Sequence, residues 1–194
     1  MKLSRLNPND SGGLGASLIW KGTVLFLLIL FLFPLTSLSQ ELEWELRSSS
    51  HLAPQGENYY DVYRLFDGQM GTAWVEGGSG GGFGEFITLR LIAIAGNVEN
   101  YIYLKGFEIN NGYCKDRETW IKNGRVKKIR IYLNGKGIYN GNLEDTMREQ
   151  RISLGRHLVK IDDVIKIEIR GVYPGSKYED TAISELVPIY SFTQ

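Results

Sequence analysis

The chain has 194 residues, 43% of them hydrophobic, and its 22 basic and 22 acidic side chains leave no formal net charge. So even a balance removes the bulk electrostatic attraction on which nucleic-acid binding depends. With Cys114 the only cysteine and His51 and His157 the only histidines, an internal disulfide, a zinc cluster and a histidine-rich metal site are excluded.

In chain order, the first element is a leader. Lys2, Arg5 and Lys21 precede an almost wholly apolar run from Val24 to Leu35, and Thr-Ser-Leu-Ser-Gln follows. Basic region, apolar region and small residues, in that order, predict a secretory signal peptide over residues 1–39, cleaved after Ser39. The apolar run falls short of the ~20 residues of a spanning helix, so no stable membrane insertion of the mature chain is expected. An uncleaved anchor is the alternative. Either way the remaining residues are exported, to a periplasm, a cell surface or the medium.

Residues 40–56 predict an N-terminal strand and loop, in which Leu42, Trp44 and Leu46 alternate with glutamates before Pro54 and Gly56. Residues 57–194 hold the main domain. It opens on Leu65-Phe-Asp-Gly-Gln-Met-Gly-Thr-Ala-Trp74, a loop with a carboxylate, two glycines and a hydroxyl before its closing tryptophan. Asp-Gly is a strong turn signal, and Phe66 and Trp74 are expected to pack beneath the turn. It reads either as a surface turn on aromatic anchors or as an oxygen-only cradle suited to Ca²⁺. The glycine-rich stretch 77–84 precedes the alternating run Phe86 to Leu91 rather than a helix, so a surface loop fits it better than a phosphate cradle.

Further alternating or β-branched runs cover Tyr101 to Ile109, Val126 to Leu133, Gly137 to Leu143, Gln150 to Leu154, Ile165 to Ile169 and Ile183 to Ile189. Asn-Gly pairs punctuate them. Helical periodicity is limited to a turn or so near Glu144 to Arg148. The pattern predicts an all-β domain of eight antiparallel strands, a sandwich or barrel. Glu185 takes an inward position on the last strand, as a metal ligand or as the partner of a buried cation. Cys114 is expected to be a small buried side chain.

With the strands placed, the Asp-Gly loop ending in Thr-x-Trp resembles the discoidin-like domains, which include the coagulation-factor type C and galactose-binding modules. The resemblance is closest to the translocation domain of NAD glycohydrolase toxins. It is carried by Leu65–Gly68 with Thr72–Glu76 and Gly84-Glu85, by Ile109–Tyr113, Asn123–Lys127, Leu143–Thr146 with Gln150, and by Val172–Gly175 with Asp180–Glu185. It implies a jelly-roll sandwich that binds rather than catalyses. It also implies one structural Ca²⁺ held by Asp67, Thr72 and Glu185, with backbone carbonyls near Leu65, Gln69 and Ser184. Gln69 departs from the Asn or Asp frequent at that position.

The long segment from Asn111 to Arg125 is the predicted recognition loop, with Tyr113, Lys115, Trp120, Asn123 and Arg125 as ligand-binding residues. Aromatic faces stack on sugar rings, and amide and guanidinium groups supply forked donors. The opposite expectation is that Trp120 plugs the core and Arg125 pairs with Glu85 or Asp145. Three functions follow. The first is an exported module that recognises a glycan or a surface protein. The second is a glycosidase or NAD glycohydrolase using Glu76, Glu85 or Asp67 as acid and base. The third is a structural subunit of an envelope complex.

Overall fold

The computed structural model describes residues 41–96 and 100–192, so the predicted signal peptide lies outside the described residues. Nine strands run through them in chain order. They are β1 (Glu41–Ser48), β2 (Trp74–Val75), β3 (Phe86–Ala95), β4 (Tyr101–Asn111), β5 (Gly124–Leu133), β6 (Lys136–Asn142), β7 (Gln150–Lys160), β8 (Val164–Tyr173) and β9 (Thr181–Ser191). A 3₁₀ turn, Val62–Phe66, and one short helix, α1 (Arg117–Lys122), are the helical pieces.

Antiparallel pairing builds two sheets. One runs β1-β3-β8-β5 with β6 on its edge; the other runs β9-β4-β7 with the two-residue β2 against β9. They meet where β5 and β9 pair in parallel, over only two partners, Gly124 with Thr181 and Arg125 with Ala182. Period-two alternation then decides the core. Ile87, Leu89 and Leu91 of β3, Ile165, Ile167 and Ile169 of β8, and Ile129 and Ile131 of β5 point one way. They form one buried cluster with Ile102, Leu104, Phe107 and Ile109 of β4 and with Ile152, Ile183 and Leu186 of β7 and β9. Two sheets sharing a single apolar core make a β-sandwich, one of the two architectures the strand pattern allows and the one the resemblance implies.

Two expectations change. The ninth strand, β2, is too short to show a period, which is why eight were expected. The turn of helix expected near Glu144 to Arg148 is absent; the segment is a loop held by Gln150, whose side-chain amide bonds the Glu144 N–H at 2.7 Å and its carbonyl at 3.0 Å. The helix stands instead at Arg117–Lys122, started by Asp116, whose carboxylate accepts the Thr119 N–H at 2.7 Å. Six residues are too few for a 3.6-residue pattern to register.

Candidate functional site

Two neighbouring features gather the residues singled out above. The first is the Asp67 loop. The 3₁₀ turn Val62–Phe66 buries Val62 and Leu65, and Trp74 is fully buried behind the loop, its indole N–H on the Ser50 carbonyl at 3.0 Å. Anchored at both ends, the loop folds back on itself. The Thr72 hydroxyl meets both Asp67 oxygens at 2.8 and 2.9 Å and also lies 2.9 Å from the Gln69 carbonyl. From β9, Glu185 reaches the same point: the Gln69 N–H is 2.9 Å from Asp67 Oδ1 and 2.8 Å from Glu185 Oε1.

The structure therefore brings Asp67, Thr72 and Glu185 together across most of the sequence. Glu185 is only 4% exposed. Burial, first, and then the neighbouring Asp67 carboxylate raise its pKa from 4.5 to about 7. Arg64 serves Asp67 at 3.4 Å and Asp61 at 3.7 Å. Two carboxylates crowded together with only the part-exposed Arg64 on the Asp67 side, beside a hydroxyl and a carbonyl, are an oxygen-only set that fits Ca²⁺. Only two of these ligands are acidic, and among the described residues no group of three or more His, Cys, Asp or Glu side chains could hold a metal. A bound ion would complete its shell with carbonyl and water oxygens, and it would supply charge neutralisation that holds the loop to β9.

The second feature is a hollow of about 240 Å³ between α1, the loop before β2 and the loop before β9. Tyr60, Tyr113 and Tyr178 form its aromatic wall, and Lys115, Asn123 and Asp180 are among its polar lining. Tyr60 and Tyr113 meet edge to face, with ring centres 6.4 Å apart. The Tyr113 hydroxyl donates to the Gly71 carbonyl at 3.3 Å, which ties the hollow to the Asp67 loop.

Of the five predicted ligand-binding residues, Tyr113, Lys115 and Asn123 line this hollow, while Trp120 and Arg125 do not. Trp120 is 8% exposed, and its indole N–H donates to the Asn111 carbonyl at 2.8 Å. Arg125 lies over the Trp120 ring at 4.7 Å and holds Asp145 through two bonds of 2.8 and 3.0 Å. It also donates to the Asn123 and Pro174 carbonyls. All three guanidinium nitrogens are engaged, so the two residues are a buried staple joining β5 to the loops around it. The expectation of a solvent-facing Trp120 platform is corrected on that ground. Asn123 has a double role, since its side-chain amide caps α1 at the Thr119 carbonyl, 2.8 Å away.

The carboxylates of the catalytic alternative are also committed. Glu76 is fully buried and accepts the Gly78 N–H at 2.8 Å and the Thr181 N–H at 3.1 Å, with burial raising its pKa. Glu85 accepts the hydroxyls of Ser49 and Ser50, the latter at 2.6 Å. Both hold the glycine-rich loop in place, and neither lines the hollow. Tyr60, which does line it, was missed as a site residue in the sequence. Tyr178, which with Tyr173 flanks Pro174-Gly175, is expected from that position either to line this end of the sandwich or to cap it, and it lines the hollow.

A two-sheet sandwich with an Asp-Gly loop locked to its last strand is a discoidin-like domain. The model of the NAD glycohydrolase translocation F5/8 type C domain matches residues 39–188, and the chain belongs to that family. Among curated proteins no sequence match is found. Solved structures of similar fold include CpGH89CBM32-5 from Clostridium perfringens, in complex with GalNAc-β-1,3-galactose. It is 16% identical with a TM-score of 0.51, over 75% of this chain and 94% of that one. The family 32 carbohydrate-binding module of C. perfringens NanJ, in complex with galactose, is 17% identical with a TM-score of 0.50, over 76% and 93%. The family 32 module of Streptococcus pneumoniae EndoD is 10% identical with a TM-score of 0.52, over 74% and 94%. The likeness is one of fold.

Proposed function

We propose that this protein is an exported, non-catalytic module that binds a glycan in the hollow walled by Tyr60, Tyr113 and Tyr178. The observation that carries this reading is the composition of that hollow: aromatic faces beside ammonium, amide and carboxylate groups, in a chain whose structural relatives include galactose- and GalNAc-β-1,3-galactose-bound modules. Sugar rings present apolar C–H faces and a rim of hydroxyls, which such a wall matches. Glu76 and Glu85, held by backbone and serine donors away from the hollow, give the glycosidase alternative no reacting pair. No helix among the described residues is long and apolar enough to cross a membrane.

One Ca²⁺ at Asp67, Thr72 and Glu185 belongs to the same proposal. Its job would be to brace the loop whose Gly71 carbonyl receives the Tyr113 hydroxyl.

The test is binding of the purified domain to an immobilised glycan array, followed by calorimetry on the best binder. Lys115→Ala and Asp180→Ala should each weaken binding by about tenfold with the melting temperature unchanged. Wild-type levels of binding in both variants would remove the site from the hollow. Turnover of a glycoside or NAD that is lost in Glu76→Gln would install the enzyme instead.

A further inference from the structure

Tyr178 is shared. It lines the hollow just described, and it also lines a second, larger one of about 640 Å³ bounded by Gly80, Gly81, Pro174, Gly175, Ser176 and Lys177. Its ring is 43% exposed, so it stands as a ridge between the two.

That ridge is held rigidly. The N–H groups of Ser176, Lys177 and Tyr178 donate to the carbonyls of Ile121 and Lys122 at the end of α1, at 2.9, 3.2 and 2.9 Å. Gly175 makes this docking possible, since a Cβ there would overlap the carbonyls of Lys122 and Tyr178. An exposed tyrosine fixed through its backbone is a contact surface that loses little entropy when a ligand covers it.

The opposite bank of the second hollow is the glycine-rich loop. Gly80 and Gly81 carry positive φ values of 110° and 67°, and Gly81 comes close enough to the Glu179 carbonyl that a Cβ would stand 3.3 Å from it. Glycines here leave a bank of bare backbone, offering N–H and C=O groups with no side chain in the way. The Thr181 hydroxyl, on the Gly81 carbonyl at 2.9 Å, and Glu76, on the Thr181 N–H, pin the loop to β9. This gives the run of glycines at 77–84 a use that a mere surface turn would not need.

Size is the remaining argument. The first hollow, at about 240 Å³, lies below the ~300–1,000 Å³ of a typical ligand pocket, whereas the two together fall inside that range. We infer that the ligand is an oligosaccharide, not a single sugar. Its terminal ring sits in the first hollow, its chain crosses Tyr178, and its following residues lie between Ser176 and the glycine bank. This rests on the glycan reading proposed above and names the ligand's length and direction.

The experiment keeps the two ideas apart. Glycans of graded length sharing one terminal sugar, from mono- to hexasaccharide, are titrated into the full domain, starting from galactose and GalNAc-β-1,3-galactose. The Ser176→Trp variant, which fills the second hollow at an exposed position, is titrated in parallel. Affinity should rise by about tenfold from the monosaccharide to the tri- or tetrasaccharide in the wild type. In Ser176→Trp the gain should fall below about twofold, with monosaccharide affinity kept. Tyr178→Ala should lose both the short and the long ligands. Binding that does not depend on length, or a length gain that survives Ser176→Trp, would overturn the second subsite and leave the first standing. Failure of every glycan at every length would sink the glycan reading and this inference with it.

Discussion

Asp67 and Glu185, 118 positions apart, accept the same backbone N–H, that of Gln69, at 2.9 and 2.8 Å. Asp67 is also served by the Thr72 hydroxyl and Arg64, whereas the pKa of Glu185 is raised to about 7, first by its burial and then by the Asp67 carboxylate beside it. Its sign sets a pH dependence. Because the folded-state value lies above the ordinary 4.5, the folded protein holds more protons than the unfolded chain between those two values. The stability this group contributes is therefore full below pH 4.5, is lost as pH rises from there through about 7, and levels off above it. Urea unfolding at pH 5 and pH 8 without metal should show a loss of about 2 kcal/mol between them. Glu185→Gln should flatten that slope; an unchanged slope would place the proton elsewhere.

A cation reverses the same penalty. At pH 8, saturating Ca²⁺ should raise the melting temperature by about 5 °C over chelator, since ~2 kcal/mol moves a domain of this size by ~4–8 °C. Asp67→Ala should abolish the shift. Identical melting curves in calcium and chelator would show that the proton alone does the work.

Trp120 and Arg125 should behave as core, not as binding residues. Trp120→Ala is expected to cost about 3–5 kcal/mol in urea unfolding, the range for emptying a buried aromatic site. Arg125→Lys should still cost about 2 kcal/mol, because an ammonium cannot reproduce the forked bond to Asp145 or lie flat on the indole. Glycan affinity per folded molecule should stay close to wild type in Arg125→Lys. A selective loss of affinity with stability intact would return these residues to the recognition surface.

Gly175→Ala tests the docking of the Tyr178 loop on α1. The added methyl group must push apart the Lys122 and Tyr178 carbonyls, so about 2 kcal/mol of stability should be lost. Amide hydrogen exchange at Ser176, Lys177 and Tyr178 should quicken with it. Protection unchanged at those three amides would mean that the docking is not what holds the ridge.

Cys114 is buried, and burial pushes its thiol pKa upward. Iodoacetamide at pH 8 should leave it unmodified in the native protein and label it on unfolding in urea. Rapid native labelling would show that the Asn111 to Asp116 segment opens.

The strand pattern was readable because burial on one face forces a period of two, and Ile87, Leu89 and Leu91 or Ile165, Ile167 and Ile169 record that period directly. Cys114 was readable as a buried thiol because it is the lone cysteine and neither histidine lies near it in sequence. Residue type at a loop tip carries no such record. Trp120 looks the same in a sequence whether its ring faces a sugar or lies beneath Arg125, and α1 is too short to leave a period that would have turned it inward. The motifs on either side of Tyr178 place it near one end of the sandwich but not whether its ring faces solvent; its exposure follows from the docking of its loop on α1.

Sequence by itself determined the all-β class, the inward position of Glu185 and the turn at Asp67, because alternation and turn chemistry are local properties; the sandwich and the meeting of Glu185 with that turn were implied only by the resemblance. Tertiary structure decided which aromatic residues face solvent. That depends on where Arg125 finds Asp145 and where the loop after Pro174 finds the end of α1. Such pairings between distant segments are set by the geometry of the two sheets, and no local pattern specifies them.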